Sequence, residues 1–291
     1  MKVLIIGGIF REILNGDTTP TLRMGGSGFT AAIVAARLGA DVALVSYVGS
    51  EDAEAVHAML DTAGVDRGSV YTLPGASGTF VFPTERAVSD RLWPMYRPAE
   101  AVPPNVPALQ EHDVALVFGL PDFDPIASGW LAGLSEESTL IWDQQGWISR
   151  ARDSRSAAAL APRSKAYLAN LREACEEFPA GSAEATLLHL PPDGYDVAVI
   201  KQGAEGCSVI RAGGKGRIQQ IPGFAVAVMS TIGSGDAFAG AFAATLPTAD
   251  VAEAARTANA TAAAFLACGG DPLHSKLLDR QQDLLAAWRE Q

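Results

Sequence analysis

The sequence predicts an α/β domain, a mainly parallel sheet with helices on both faces. Three observations carry this expectation. Short β-branched runs alternate with Ala- and Leu-rich stretches, the βα order that builds parallel sheets. Most of these runs are continuously apolar, as strands covered on both faces are. The 291 residues hold no repeat, linker or low-complexity stretch, so one compact domain over residues 1–291 is the natural reading.

The elements follow in chain order. The opening MKVLIIGGIF has a single Lys, a short apolar run and no small-residue cleavage site, so Val3–Ile6 reads as a buried strand and not as a leader. Further strands are expected at Asp41–Val48, Thr79–Phe82, Val114–Phe118, Thr139–Trp142, Ala166–Leu168, Val197–Ile200 and Cys207–Ile210. Helices are expected at Thr30–Leu38, Asp52–Ala63 and Ala237–Leu246, with Gly39 and Gly64 placed as left-handed C-terminal caps of the first two. Two stretches break the rhythm. Phe10–Met24 is polar and turn-rich. Thr84–Pro104 is rich in proline and carries Trp93, Met95 and Tyr96, so it suits neither a helix nor a central strand. Lid elements are therefore expected within 10–24 and 79–104.

Composition excludes several classes. With 22 Lys+Arg against 33 Asp+Glu the net charge is −11, and no basic stripe is present to follow a phosphate backbone, so nucleic acid is not an expected partner. No apolar run approaches the ~18 residues of a membrane span. Cys175, Cys207 and Cys268 stand far apart, an odd number in no CxxC pair, and the four histidines show no metal-ligand spacing. A reduced, cytoplasmic protein is the expectation.

The strongest chemical signal is Ser230-Thr231-Ile232-Gly233-Ser234-Gly235-Asp236, followed by a helix whose Phe238, Phe242 and Leu246 recur every four residues. Its glycines lie at that helix's N-terminus, where unpaired N–H groups and the dipole favour an anion. Asp236, in the first turn, is suited to accept a proton or to complement the dipole; a plain Gly turn with an N-terminal helix charge reads equally well. A second signal, Met24-Gly25-Gly26-Ser27-Gly28-Phe29-Thr30-Ala31, superficially fits a dinucleotide fingerprint. No strand is expected directly before its first glycine, which disfavours a nicotinamide oxidoreductase. A third is Lys201-Gln202-Gly203-Ala204-Glu205-Gly206 after a strand, where a lysine can reach a phosphate or simply sit in a hairpin loop. The fourth is Asn170-Leu171-Arg172-Glu173, whose i and i+3 ends share a helical face and either hold a hydrated Mg²⁺ or cap the helix start. No GxxxxGK[ST] phosphate loop and no GxSxG elbow is present.

Taken in order, these segments resemble the ribokinase/PfkB family of carbohydrate kinases over essentially the whole chain. The Gly25-Gly26 segment is similar to the family's first signature, and Thr231-x-Gly233-Ser234-Gly235-Asp236 to its second. The resemblance implies a ribokinase-like three-layer sandwich with a small, shortened lid, and transfer of the ATP γ-phosphoryl group to a hydroxyl. By the same resemblance Asp236 is the catalytic base and the backbone of Gly233, Ser234 and Gly235 forms the anion hole. Asn170 and Glu173 govern Mg²⁺ through water; Lys201, Gly203, Gly206 and Asn259 line the nucleotide site; Glu12, Gly25, Gly26 and Thr30 bind the acceptor. The implied acceptor is a small sugar or polyol, with a nucleoside kinase or a catalytically silent ligand-binding relative as alternatives. Departures from the family pattern sharpen the reading. Ser230 stands where Asp is usual, which leaves activation by a monovalent cation open, and so does the oligomeric state. Glu12 and Thr30 replace a usual Asp and Asn. Asp143-Gln144-Gln145-Gly146 replaces Asp-Pro-Asn, with Trp142 and Trp147 beside it, either stacking on a ligand or packed in the core.

Overall fold

The computed structural model describes residues 1–15, 20–82, 90–92, 112–119, 129–144, 164–177, 182–189, 195–211, 217–228 and 230–290. The chain runs β1 (Lys2–Ile6), β2 (Phe10–Asn15), β3 (Pro20–Gly25), α1 (Ser27–Arg37), β4 (Asp41–Gly49), α2 (Ala53–Ala63), β5 (Asp66–Leu73), β6 (Thr79–Phe82) and β7 (Asp90–Leu92). It continues through β8 (Val114–Gly119), β9 (Thr139–Gln144), β10 (Ala166–Asn170), α3 (Leu171–Glu177), α4 (Ala183–His189), β11 (Val197–Lys201), β12 (Cys207–Arg211) and β13 (Gln219–Ile221). Then come α5 (Ser234–Thr245), α6 (Val251–Ala267) and α7 (Leu277–Arg289).

The main sheet has the order β13-β12-β11-β10-β9-β8-β1-β4-β5. It is parallel from β11 to β5, while β12 and β13 join the far side antiparallel. The continuous apolar runs are explained by its two covered faces. In β1, Val3 and Ile5 enter a core shared with α1, α2, α5 and α6, whereas Leu4 and Ile6 enter a second core on the opposite face with Ala174 of α3 and Ala183 and Leu187 of α4. Trp142 belongs to that second core, set edge-on to Tyr167, which settles its reading as a packing residue. Trp147 and Gln145-Gly146 lie outside the described residues.

The smaller sheet, order β3-β2-β6-β7, corrects one expectation. Phe10–Met24 is not all turn: Phe10–Asn15 and Pro20–Gly25 are six-residue antiparallel strands, and β2 also pairs in parallel with β6. Its polar residues are accommodated by cross-strand partners, chiefly Glu12 opposite Arg23, which local propensity does not show. Thr79–Phe82 is a strand as expected, and it pairs in this sheet, within one of the two stretches expected to carry lid elements. Pro20 is tolerated because it begins an edge strand. Within the proline-rich segment Asp90–Leu92 forms β7, and 84–89 and 93–104 lie outside the described residues.

The small sheet is rooted on the large one. Arg11 of β2 grips Asp52, at the start of α2, with Nε 2.9 Å from Oδ1 and 3.0 Å from Oδ2. The same carboxylate accepts the Ser77 N–H at 2.8 Å. These bonds set the small sheet above the carboxyl ends of the parallel strands, where loops gather and ligands bind in open α/β sheets.

Candidate active site

Three strand ends and one helix start meet in this cleft. Asp143 is the last residue but one of β9, Asn170 ends β10 and Lys201 ends β11, facing the first turn of α5. Gly233 caps α5 at φ 82°, a left-handed conformation that turns the chain sharply into the helix and that a side chain would strain. The Ala237 N–H closes on the Gly233 carbonyl at 2.9 Å, and the Ser234 N–H leans back on Thr231 O at 3.3 Å. The N–H groups of Gly235 and Asp236, in the first turn, have no carbonyl one turn earlier to reach inside the helix. The Ser234 hydroxyl turns away to donate to Thr231 O at 2.8 Å, so this residue offers backbone and not side chain.

Lys201 points at that first turn. Its Nζ lies 3.6 Å from where a Cβ on Gly235 would stand. Both of its bonds run to Asp143, at 2.7 Å to Oδ2 and 3.0 Å to Oδ1. Asp143 is fully buried; burial pushes its carboxyl up to about 7, with Lys201 pulling it down and Glu173 adding to the rise. For Lys201, burial works to lower the ammonium, but the Asp143 and Glu173 carboxylates outweigh it and the pKa is raised. Asp236 is mostly buried in the first turn of α5. Burial and the carboxylates of Asp143, Glu12 and Glu173 push it up to about 8 against the pull of Lys201.

The other predicted residues divide into two groups. Asn170 and Glu173 form a reciprocal capping box: Glu173 Oε2 accepts the Asn170 N–H at 2.8 Å, and Asn170 Oδ1 accepts the Glu173 N–H at 2.9 Å. This fixes Glu173 beside Asp143 and Asp236, whose pKa values both register its charge. No three metal-ligating side chains converge among the described residues. A carboxylate offers about four lone-pair sites, so capping does not by itself use up the chemistry by which a glutamate takes a water of a hydrated Mg²⁺, the mode that ion prefers. Glu12 is buried over Gly25: its Oε1 accepts the Gly26 N–H at 3.1 Å, and a Cβ on Gly25 would stand 2.4 Å from its carboxyl carbon. Thr30 is buried one turn into α1.

Gly206 and Asn259 meet instead at the corner of β13. A Cβ on Gly206 would lie 2.1 Å from the Ile221 carbonyl, and Asn259 Nδ2 donates to Ile221 O and Pro222 O, each at 3.2 Å. Gly203 opens the turn before them, with open space around its Cα. These residues shape the turn that follows Lys201 and seat it against the corner of β13.

Two functional candidates carried no assigned role in the sequence. Asp143 was visible only as part of a tetrapeptide, though a carboxylate directly after an apolar strand at the ligand-binding edge is a readable signal. Arg23 had none: its role depends on the β2–β3 register.

The profile of the pfkB family carbohydrate kinases matches residues 8–274. The chain belongs to this family. No curated protein matches the sequence. Among solved structures this pfkB kinase is similar to an E. coli protein described as ribokinase II in complex with ATP and Mg²⁺, at TM-score 0.78 and 18% identity, covering 98% of this chain and 99% of that one. It is similar also to the aminoimidazole riboside kinase of Salmonella enterica, at TM-score 0.76 and 20% identity, with coverage of 97% and 100%. A third likeness is to a nucleoside kinase of Burkholderia thailandensis bound to inosine, at TM-score 0.78 and 19% identity, with coverage of 98% and 99%. These likenesses bear out the ribokinase-like fold. No helix among the described residues is long and apolar enough to cross a membrane.

Proposed function

We propose that this kinase moves the γ-phosphoryl group of Mg·ATP to a hydroxyl of a small sugar or polyol, with Asp236 as the base. One observation carries the reading: a carboxyl raised to about 8 stands in the first turn of α5, beside backbone N–H groups and facing a lysine. A base with a pKa near the working pH takes a proton most effectively as the hydroxyl attacks. In-line phosphoryl transfer then needs positioning and charge stabilisation more than covalent chemistry. Backbone N–H groups of residues 233–235, at the positive end of α5, receive the developing charge. Lys201 adds a positive charge on the same side and can leave Asp143 for a phosphate oxygen. Asn170 and Glu173 hold the hydrated Mg²⁺, which when bound neutralises phosphate charge. Lys201 and Gly203 begin the nucleotide wall that Gly206 and Asn259 brace. On the acceptor side, Glu12, Gly25, Gly26 and Thr30 present a carboxylate, two close-packed glycines and a hydroxyl.

The test is ADP release from Mg·ATP across a panel of sugars, polyols and nucleosides, with Asp236→Asn beside the wild type. Turnover on one class that collapses in the variant supports the reading and names the acceptor class. Turnover confined to nucleosides replaces the sugar-or-polyol reading with a nucleoside kinase. An ATP-induced rise in melting temperature without turnover on any acceptor would mark a ligand-binding relative.

A further inference from the structure

Arg23, on β3 of the small sheet, reaches across to both loops that border the phosphate side of the cleft. Its Nε donates to Glu12 Oε2 at 2.7 Å, its Nη1 to the Gly270 carbonyl at 3.0 Å, and its Nη2 to the Ile232 carbonyl at 3.3 Å. Ile232 immediately precedes Gly233, the cap of α5; Gly270 lies just beyond the end of α6. Gly270 is moulded to the guanidinium: a Cβ there would stand 2.6 Å from Nη1, whereas one on Gly233 would meet the Phe265 ring at 3.1 Å and lie in ordinary contact with Nη2 at 3.8 Å. Glu12 is itself held by the Gly26 N–H at 3.1 Å, so the charge partner of Arg23 is fixed as well.

We propose that the Arg23 guanidinium is a built-in cation: it gathers the Ile232 and Gly270 carbonyls and the Glu12 carboxylate, and so positions the phosphate-binding turn of α5 from the small sheet. The chemistry follows from the donor set. Two backbone carbonyls and a carboxylate converging on one point are hard oxygen donors that require a positive charge between them. A planar guanidinium meets three acceptors with directed donors from one rigid fork, which a hydrated alkali ion or a lysine cannot match. Arg23 is therefore a positioning residue: it sets the loop carrying Gly233 and acts on the reaction through that loop. The proposal rests on the phosphotransfer reading for its catalytic consequence, while the cation-binding part stands on geometry alone.

The two parts are separated by two readouts on wild type, Arg23→Met and Arg23→Lys. The first is the melting temperature of the ligand-free protein in choline chloride, KCl and low guanidinium chloride at constant ionic strength. The wild type is expected to be indifferent to the cation, and Arg23→Met to melt lower and recover in K⁺ or guanidinium. The second is ADP release with the acceptor found above. Arg23→Met is expected to lose about 10²-fold in kcat, the scale of a misplaced reactive loop, with the KM for Mg·ATP little changed and activity returning in K⁺ or guanidinium. Arg23→Lys, which keeps the charge without the fork, is expected to fall between the two. If no acceptor turns over even in the wild type, the phosphotransfer reading fails while the melting arm still decides the cation assignment. A wild type that itself depends on K⁺, or an Arg23→Met whose defects no small cation reverses, overturns the proposal.

Discussion

Two ion pairs of equal length flank Asp236 and differ in nearly everything else. Lys201 and Asp143 meet at 2.7 Å, as do Arg23 and Glu12. Both bonds of Lys201 go to one carboxylate, whereas Arg23 spreads its donors over a carboxylate and two carbonyls, and Glu12 holds a backbone N–H besides. Removing a partner from a multiply bonded group strands every other partner. An ammonium bonded to a single carboxylate has three donors and can turn one of them to a phosphate oxygen. The pair with fewer bonds is the one suited to ligand exchange, and the pair with more is architecture.

Asp236 feels charges from both pairs, and its loss carries the largest expected effect. Asp236→Asn keeps the shape and removes the base, so kcat is expected to fall about 10²–10⁴-fold. Circular dichroism and the melting transition should remain those of a folded protein. A variant as active as the wild type would take the base assignment away from this residue.

Next in size is Lys201→Met. Loss of one positive donor aimed at developing charge is expected to lower kcat about 10²-fold, in the range seen for single stabilising donors. Stability should respond in a pH-dependent way. Asp143, left alone and fully buried, is pushed further up; below its pKa it is neutral and tolerated, above it is an unpaired buried charge. Lys201→Met should therefore lose melting temperature chiefly at alkaline pH. An equal loss at pH 6 and pH 9 would show that packing of the lysine stem matters more than the charge.

This division explains what was legible in the sequence. Phe238 and Phe242 follow the helical period and Gly233 and Gly235 precede them, so α5 and its anion-binding turn could be read directly, and the structure places the turn at the cleft. The parallel strands were equally open to reading because burial on both faces writes a continuous apolar run. The small sheet was not. Phe10–Asn15 and Pro20–Gly25 are strands because they pair with each other and with β6, and Glu12 is neutralised by a residue on the opposite strand. Arg23 became visible only with that register, and its contacts to Ile232 and Gly270 span more than two hundred residues. Asn170 and Glu173 illustrate a different limit: the pattern fitted both a capping box and a metal-water ligand, and the structure realises the first while leaving chemistry for the second.

A gentler probe is pH acting on the wild type without ligand. Asp143 is raised to about 7 and Asp236 to about 8, while an unfolded Asp titrates near 3.9. Between roughly pH 4 and these values the folded chain holds protons that the unfolded chain has lost, so stability falls as pH rises through that window. Denaturant midpoints should decline from pH 5 to pH 9, and Asp236→Asn should flatten the upper part of that decline. A midpoint that climbs over this interval would show that the carboxyls are not raised.

The smallest expected effect lies at the root of the small sheet, where Arg11 grips Asp52. Burial works to raise Asp52, but Arg11 and the Ser77 N–H outweigh it and its pKa is lowered, so this contact stabilises above the unfolded value and is lost as pH falls. The pair is partly exposed and away from the phosphate side, so Arg11→Ala should remove on the order of 1 kcal/mol, a few degrees in melting temperature. Unlike Arg23, Arg11 touches neither loop beside α5, so the loss should not respond to K⁺ or guanidinium. That contrast isolates what Arg23 does. Both arginines tie the same sheet to the same body with carboxylate partners, and only one of them also holds the carbonyl next to the cap of the phosphate-binding helix. Equal cation rescue in the two variants would mean that K⁺ merely stiffens the small sheet, and the special position of Arg23 would be lost.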